Sequence, residues 1–309
     1  MALNQTNKLV WIVETIYKAH KITFEDLNLK WMDNRDLSGG VEMLKRTFHK
    51  WKYNIKDTFG IDIKCEEHAP YRYYINNIED MRQGSIENWL LSTLSVSNSL
   101  IESKSIKERI ILEDIPSGRE YLEPIIDAMK KNRLVHISYY NYWTEETREH
   151  YLMPLCLKLF RQRWYMVGRI WTSGIDMVFC LDRIMSFRLS SHTFEYPKDF
   201  DPQEYFDGVY GVIVDKDCKI ENVQIKVGSH QANYLRDLPM MNEGNQQEIK
   251  RNNKYSIFLI QVRPTFDFIQ ELLWHREELE VLKPLWLRKE IANIIHSMSN
   301  KYKNDINEE

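Results

Sequence analysis

Two arginines and a tyrosine lie close together near the middle of the chain, in residues 161–168, whose sequence is RQRWYMVG. Aromatic and β-branched side chains favour a pleated, half-buried surface, so the central residues are expected to form a β-strand. Side chains alternate along a strand, which would put Arg161, Arg163 and Tyr165 on one face. Trp164 would lie on the other. One face could then pack while the other presents positive charge beside an aromatic ring, an arrangement suited to an anionic ligand.

The elements that would position this segment lie on both sides of it. A short helix is expected from about Glu120 to Lys131, followed by strands over residues 134–142 and 148–157. After the central segment come a turn at residues 172–174 and a strand over residues 177–183. Short strands joined by tight turns predict a small curled sheet or barrel.

Several motifs of this middle region resemble the successive signatures of a WYL domain. They are Val135-x-Ile137-x-Tyr139, Arg148 followed by Pro154-Leu155, residues 163–168 (RWYMVG) and residues 179–184 (FCLDRI). Met166 replaces the leucine of the family's name, a mild departure because the two side chains are close in volume and polarity. The resemblance implies an Sm-like β-barrel over residues 119–194 that senses a ligand, commonly proposed to be a nucleic acid or nucleotide.

The resemblance also implies which residues line the ligand pocket. Carried over position by position, these are Tyr139, Arg148, Trp164, Tyr165 and Arg183. The residues themselves suggest four more candidates, which are Ser138, His150, Arg161 and Arg163. His150 shares strand parity with Arg148, and Ser138 neighbours Tyr139, so both could complete a polar anion site.

The charge of residues 133–190 favours an anionic ligand, because eight Lys or Arg stand against five Asp or Glu. Two alternatives stay open for individual side chains. Trp164 could be a core residue instead of a ligand contact. Arg183 could pair with Asp182 or Asp176.

The first third of the chain has the pattern of a small helical module. Residues 8–19 place apolar side chains at helical spacing, and Thr23 followed by Asp26 is typical of the start of a second helix. After a break at residues 33–40, a third helix would bury one stripe formed by Leu44, Phe48, Trp51 and Ile55. A hairpin through residues 61–63 and 71–75 would follow. This order predicts a winged helix-turn-helix over residues 1–76, with the third helix in the major groove.

The candidate DNA contacts are polar or basic side chains of the third helix and of the wing. They are Lys45, Arg46, Thr47, His49, Lys50, Lys52, Tyr53 and Arg72. Residues 45–50 and 59–61 resemble the recognition helix and following turn that precede WYL domains in bacterial transcription factors, although Lys50-Trp51 stands where that family often has Arg-Asp. The alternative is a solvated helix whose lysines keep the protein soluble, with Arg72 simply exposed.

The remaining segments connect or extend these two domains. Residues 77–118 indicate a helical connector or dimerisation element, with a flexible linker as the alternative. Residues 195–214 contain Pro and Gly and are expected to be an extended linker. Residues 215–309 have the order β-α-β-β-α-β of a ferredoxin-like split unit, and they resemble the C-terminal extension that follows WYL domains.

Length and composition indicate a globular protein of two or three domains, and the predicted helices and strands make it a multidomain α+β protein. Apolar residues make up 43% of the chain, enough to form real cores. The formal charge of -3 conceals local basic stretches, so it does not exclude a nucleic-acid partner. The four cysteines form no CxxC pair, so neither a zinc site nor a disulfide framework is expected. The polar start and the lack of a long apolar run predict a cytoplasmic protein with no cofactor and no membrane partner.

Together these features predict a DNA-binding transcriptional regulator, a homodimeric repressor whose WYL domain binds an anionic effector. One alternative is a nucleic-acid-binding accessory protein that modulates a partner and has no operator of its own. An enzyme is disfavoured, because the sequence has no nucleophile elbow, metal-ligand spacing or Gly-rich phosphate loop. The resemblance leaves the biological setting open, since some relatives are linked to phage defence and others to DNA damage.

Overall fold

The structure is a computed structural model that describes residues 2–81, 85–102, 108–111, 113, 115, 118–242 and 244–303. The chain divides into two compact units, residues 1–113 and residues 114–309. It is a mixed α+β protein with several separate sheets. The finer domain boundaries at residues 76, 118, 194 and 214 stay predictions.

The first unit is built from helices and one hairpin. Its elements are α1 (Ala2–Ala19), α2 (Phe24–Asp33), α3 (Arg35–Ser38), α4 (Lys45–Phe59), β1 (Ile63–Cys65), β2 (Tyr73–Ile75) and α5 (Ile86–Glu102), with a 3-10 turn at Ile78–Met81. β1 and β2 are antiparallel. The core is formed where the apolar stripes of the helices meet, and it includes Ile12, Leu27, Phe48 and Ile55.

Two details of this unit differ from the sequence prediction. The predicted break at residues 33–40 contains α3, because the Asn34 side chain accepts a hydrogen bond from the backbone N–H of Leu37 and caps this short helix. Leu44 precedes α4 in an extended conformation and is 68% exposed, so it does not belong to the buried stripe. Met43 is buried instead, and its backbone N–H donates to the side chain of Asn28.

The predicted connector contributes to the core of the first unit. Leu91 of α5 is buried in the same cluster as the α1 side chains, and Leu94 packs against that cluster. The described part of the connector is therefore packed helix. Residues 82–84, 103–107, 112, 114, 116 and 117 of the predicted connector lie outside the described residues.

The second unit begins with a helix and a five-stranded antiparallel sheet. The elements are α6 (Arg119–Lys130), β3 (Arg133–Asn141), β4 (Glu146–Phe160), β5 (Arg163–Ile170), β6 (Asp176–Cys180) and β7 (Ile184–Thr193), in the sheet order β6-β5-β4-β3-β7. Apolar residues of α6 pack on one face of this sheet, with Ile137, Leu152, Met166 and Phe179 in the shared core.

The barrel predicted for this region is not closed within the described residues. The strand expected over residues 177–183 ends at Cys180, and a 3-10 turn at Leu181–Arg183 leads into β7, which the sequence did not predict. β7 pairs with β3, at the opposite edge of the sheet from β6. The two edge strands therefore do not meet among the paired strands of the sheet.

The remainder of the second unit is a four-stranded antiparallel sheet with helices. Its elements are β8 (Glu221–Gly228), α8 (Ser229–Asp237), β9 (Gln246–Arg251), β10 (Tyr255–Val262), α9 (Phe266–Trp274), β11 (Leu279–Lys283) and α10 (Leu285–Lys303), in the sheet order β11-β8-β10-β9. The order β-α-β-β-α-β is the one that the sequence predicts. Val223, Ile225, Phe258 and Phe268 form its core.

The segment between the two sheets is packed and contains a helix, α7 (Pro202–Tyr205). Phe194 and Phe200 are buried on the face of the five-stranded sheet that α6 does not cover, together with Leu134, Leu155 and Val167. None of the helices in the described ranges is both long and apolar enough to cross a membrane.

Candidate ligand site and nucleic-acid interface

The central strand β5 has the alternation that the sequence predicts. Tyr165 lies opposite Cys180 of β6, and the next residue, Met166, lies opposite Phe179. Directly paired residues share a face, so Tyr165 is on the face of Cys180 while Met166 is in the core under α6. Arg163 therefore shares the face of Tyr165, and Trp164 shares that of Met166.

Arg161 is not part of this strand. Phe160 pairs with Arg163, and Arg161 and Gln162 form a two-residue turn with φ values of 48° and 64°. Hairpin turns of this type need positive φ at both central residues and usually contain Asn or Gly. Because Arg161 and Gln162 are neither, no turn is predicted from the sequence here. The Arg161 guanidinium binds Glu271 and, at 3.1 Å, the hydroxyl of Tyr210. It is directed to the C-terminal domain.

Tyr139, Arg148, His150 and Trp164 lie on the α6 face of the sheet. Tyr139 pairs with Arg148, and the rings of Tyr139 and His150 contact Phe179 edge-on at 5.1 and 5.3 Å between centroids. Burial, and then the nearby Arg148, lowers the pKa of His150, which favours the neutral ring. Trp164 packs against the core, as the alternative interpretation of this residue expects.

Arg183 completes this cluster from the 3-10 turn after β6. Its guanidinium carbon lies 4.0 Å from the ring centroid of Tyr142, and its Nε is buried without a hydrogen-bond partner. Burial raises the pKa of Tyr139, and the adjacent Arg183 partly offsets this rise. Neither suggested carboxylate pairs with Arg183.

The two carboxylates are engaged by other arginines. Asp182 binds Arg163, and Asp176 binds Arg169 at 2.6 Å. Arg148 is exposed and pairs with Glu146 at 2.7 Å. Of the four predicted pocket arginines, Arg183 is thus the one without a carboxylate partner in the described part of the chain.

Arg163 and Tyr165 belong to a separate polar cluster on the opposite face. The Cys180 thiol donates to Asp182 at 2.6 Å, and the same carboxylate binds Arg163. Burial raises the pKa of Cys180 to about 11 and also raises that of Tyr165. The predicted pocket is therefore divided between two faces, because residues of odd and even number on β5 cannot face the same ligand.

Ser138 is also separated from Tyr139. The two are neighbours in β3 and so lie on opposite faces of the strand. Ser138 is 8% exposed and lies opposite Glu149 of β4 and Ser186 of β7. Sequence proximity suggested a shared site, but strand geometry excludes it.

Sequence reasoning missed Tyr142, whose ring covers the Arg183 guanidinium. The run of aromatic residues at the end of β3 is the sequence feature that could have indicated Tyr142. The ring centroids of Tyr140 and Tyr142 are 5.6 Å apart. No group of three or more His, Cys, Asp or Glu side chains within the described ranges could hold a metal ion.

The third predicted helix, α4, presents a continuous polar face. The exposed candidates on it are Lys45, Arg46, His49, Lys50 and Tyr53. Their spacing of one, three, one and three residues follows a single side of the helix, opposite buried Phe48 and Ile55. Arg46 and Lys50 form no ion pair with any described residue. Lys45 approaches Glu25 at 3.8 Å.

The other two candidates on α4 are less accessible. Thr47 is half-buried. Lys52 extends over the Tyr73 ring of the hairpin at 5.1 Å, and burial lowers its pKa.

Arg72 of the hairpin is paired with a carboxylate. Its Nε lies 3.0 Å from Glu66, which also binds Lys21 at 2.8 Å. Hydrogen bonds from Lys21 and Arg72 lower the pKa of Glu66 to about 2. Lys21 was not a sequence candidate, because nothing in the sequence places it beside the hairpin 45 residues later.

Comparisons with known proteins identify the two parts of the second unit. Residues 120–189 match the model of the WYL domain, and residues 219–299 match that of the WCX domain. A search of curated proteins finds no match.

Two solved structures are similar at low identity. Proteasome accessory factor B/C (PafBC) of Arthrobacter aurescens is 17% identical over 93% of this chain and 46% of that chain, with a TM-score of 0.36, so this chain spans less than half its length. A CRISPR Cas-related protein is 11% identical over 98% of this chain and 86% of that chain, with a TM-score of 0.40. On the two domain matches, the chain contains a WYL domain followed by a WCX domain.

Proposed function

We propose that the protein is a DNA-binding transcriptional regulator, a homodimeric repressor whose WYL domain binds a nucleic-acid or nucleotide-like anion. In this proposal residues 1–76 act as a winged helix-turn-helix, the five-stranded sheet is an Sm-like fold, and the C-terminal domain is ferredoxin-like. The observation that carries the proposal is the exposed polar face of α4, on which Arg46 and Lys50 form no ion pair with a described residue.

The face of α4 has the chemistry of a recognition helix. Such helices contact base edges mainly through their N-terminal half, where Arg46, His49 and Lys50 lie. Arginine and lysine can donate to guanine in the major groove, and the same side chains can bind phosphates. The buried stripe on the other side anchors the helix, so the polar face can enter a groove without exposing the core.

The hairpin supplies a second cationic surface. Arg72 and Lys21 flank Glu66, so one positive charge remains after the carboxylate is neutralised. A phosphate near this pair would meet two donors whose side chains are about half exposed. In the proposed complex the hairpin contacts the backbone and α4 reads the bases.

The effector site is proposed at Arg183 because this guanidinium has an unpartnered Nε and no competing carboxylate. The aromatic ring of Tyr142 lies against the Arg183 guanidinium. A planar group of a ligand could make the same kind of contact with this guanidinium. An anion bound here would also lie near the Tyr139 hydroxyl. An effector changes DNA affinity only if it binds one arrangement of the protein more tightly than another.

The test of DNA binding is the double charge reversal Arg46→Glu/Lys50→Glu, measured by gel shift on the upstream region of the protein's own gene. We expect binding to be lost while the circular dichroism spectrum is unchanged. The matched control is Lys198→Glu/Lys216→Glu, which makes the same change in net charge at exposed positions of the second unit. Unchanged affinity of the α4 variant would contradict the proposal.

A further inference from the structure

The WYL and WCX domains contact each other through a set of polar and aromatic residues, which we call the joint. Residues 194–220, which link the two sheets, are called the connecting segment. The joint comprises Lys158 and Arg161 of the β4–β5 hairpin, residues 206–213 of the connecting segment, and Asp267 and Glu271 of α9. All of these residues are described, and all belong to the second unit.

Lys158 holds the connecting segment against β4. Its Nζ donates to the backbone carbonyl of Gly211 at 2.6 Å and lies 3.9 Å from the ring centroid of Phe206. The nearby carboxylate of Asp267 supplies a favourable charge. A buried ammonium is stable only with such partners, so Lys158 is committed to this contact.

Asp267 fixes the same segment from the other side. One carboxylate oxygen accepts the backbone N–H groups of Val212 and Ile213, at 2.7 and 2.8 Å. A Cβ at Gly211 would overlap this carboxylate, so only glycine permits the close approach. The connecting segment is therefore held by both domains at adjacent residues.

Arg161 makes the direct ionic contact between the domains. It binds Glu271, whose side chain is 12% exposed, and the hydroxyl of Tyr210. The Tyr210 ring meets Phe160 at 5.7 Å and Phe268 at 6.0 Å, edge-on to both. The Glu271 carboxylate lies 3.4 Å from Nε2 of His275, and Nδ1 of His275 lies 2.8 Å from the side-chain amide nitrogen of Gln231. Removing Arg161 would leave a buried carboxylate with fewer partners.

We propose that the joint makes the WYL sheet and the WCX domain one cooperative unit, with Arg161 as a coupling residue instead of a ligand contact. A displacement of the β4–β5 hairpin then changes the environment of α9, and the reverse holds to the same extent because coupling free energies are reciprocal. This proposal is independent of any DNA or effector binding.

The test is hydrogen exchange of the full chain, followed by mass spectrometry, in wild type, Arg161→Gln, Glu271→Gln and the double variant. In wild type the amides of Val212 and Ile213 should be protected. Each single substitution should raise their exchange at least tenfold, although neither residue bonds these amides directly. The double variant should exchange no faster than the faster single variant, because both changes remove the same contact.

The control is Lys198→Gln, which changes an exposed residue of the same connecting segment. This substitution should leave the exchange of the Val212 and Ile213 amides unchanged. Unprotected Val212 and Ile213 in wild type would overturn the proposal without any variant. The proposal would also be overturned if the single variants left the exchange of these amides unchanged. It would equally be overturned if the increase in exchange in the double variant were the product of the two single increases. If Arg161→Gln does not fold, Arg161→Lys keeps the charge and removes the planar fork, and an intermediate increase is expected.

Discussion

The cations of α4 and those of the five-stranded sheet differ in what surrounds them. On α4, Arg46 and Lys50 are exposed and form no ion pair with a described residue. On the sheet and its β4–β5 turn, Arg148, Arg161 and Arg163 each bind a carboxylate of the same chain. The excess of basic residues over residues 133–190 thus overstates the positive charge available to a ligand, whereas Arg46 and Lys50 of α4 remain available.

The largest expected effect of this difference in ion pairing is on the free energy of unfolding. Replacing Arg163 by Met leaves Asp182, 8% exposed, with a buried charge and one fewer partner. We expect a loss of about 3 kcal/mol in the free energy of unfolding, measured by urea denaturation. Arg46→Met should change it by less than about 0.5 kcal/mol. Equal effects of the two substitutions would remove the contrast between the regions.

A second test uses the pH dependence of Lys158. Burial is the main cause that lowers its pKa from 10.5 to about 8 in the folded protein. Between these values the folded protein binds fewer protons than the unfolded chain, so the free energy of unfolding should rise with pH.

The rise should be on the order of 3 kcal/mol relative to Lys158→Met over the same range. Cys156 and Asp267 are the charged or titratable groups that act on Lys158, and both are retained in the variant. Urea denaturation at several pH values would measure the difference. Parallel pH profiles for the two proteins would show that Lys158 titrates as an ordinary exposed lysine.

Arg183 should behave as the exception among the four predicted pocket arginines. Calorimetric titration with a 5′-phosphorylated dinucleotide should show at least a tenfold loss of affinity in Arg183→Gln, about 1.4 kcal/mol. Arg163→Gln should change affinity less, because Asp182 already occupies its guanidinium. The opposite order would place the anion on the other face of the sheet.

The smallest expected effect concerns Arg148, which is exposed and paired with Glu146. Surface ion pairs contribute at most about 1 kcal/mol, so Glu146→Gln should scarcely change stability. It should free Arg148 and raise affinity for the same dinucleotide by a few fold. A decrease in affinity would mean that Glu146 orients Arg148 for binding.

Much of the local structure follows directly from the sequence. The N-cap at Thr23, with its hydroxyl accepting the Asp26 N–H at 3.1 Å, and the stripe of Phe48 and Ile55 depend only on neighbours within a few residues. The order of strands and helices in the WCX domain is also local, as it is set by hydrophobic periodicity. The alternation of Arg163, Trp164 and Tyr165 is a property of any strand.

Only the tertiary structure decided which of these side chains are available. Arg161 and Glu271 are 110 residues apart in sequence, and nothing in the neighbourhood of either residue predicts their contact. The register of β5 against β6 placed Tyr165 on the face opposite to Phe179, against which the Tyr139 ring packs. Tyr139 and Tyr165, which the sequence prediction had put in one pocket, therefore lie on different faces. Local periodicity determines the face of each side chain, but the long-range pairing of strands and charges determines what it meets there.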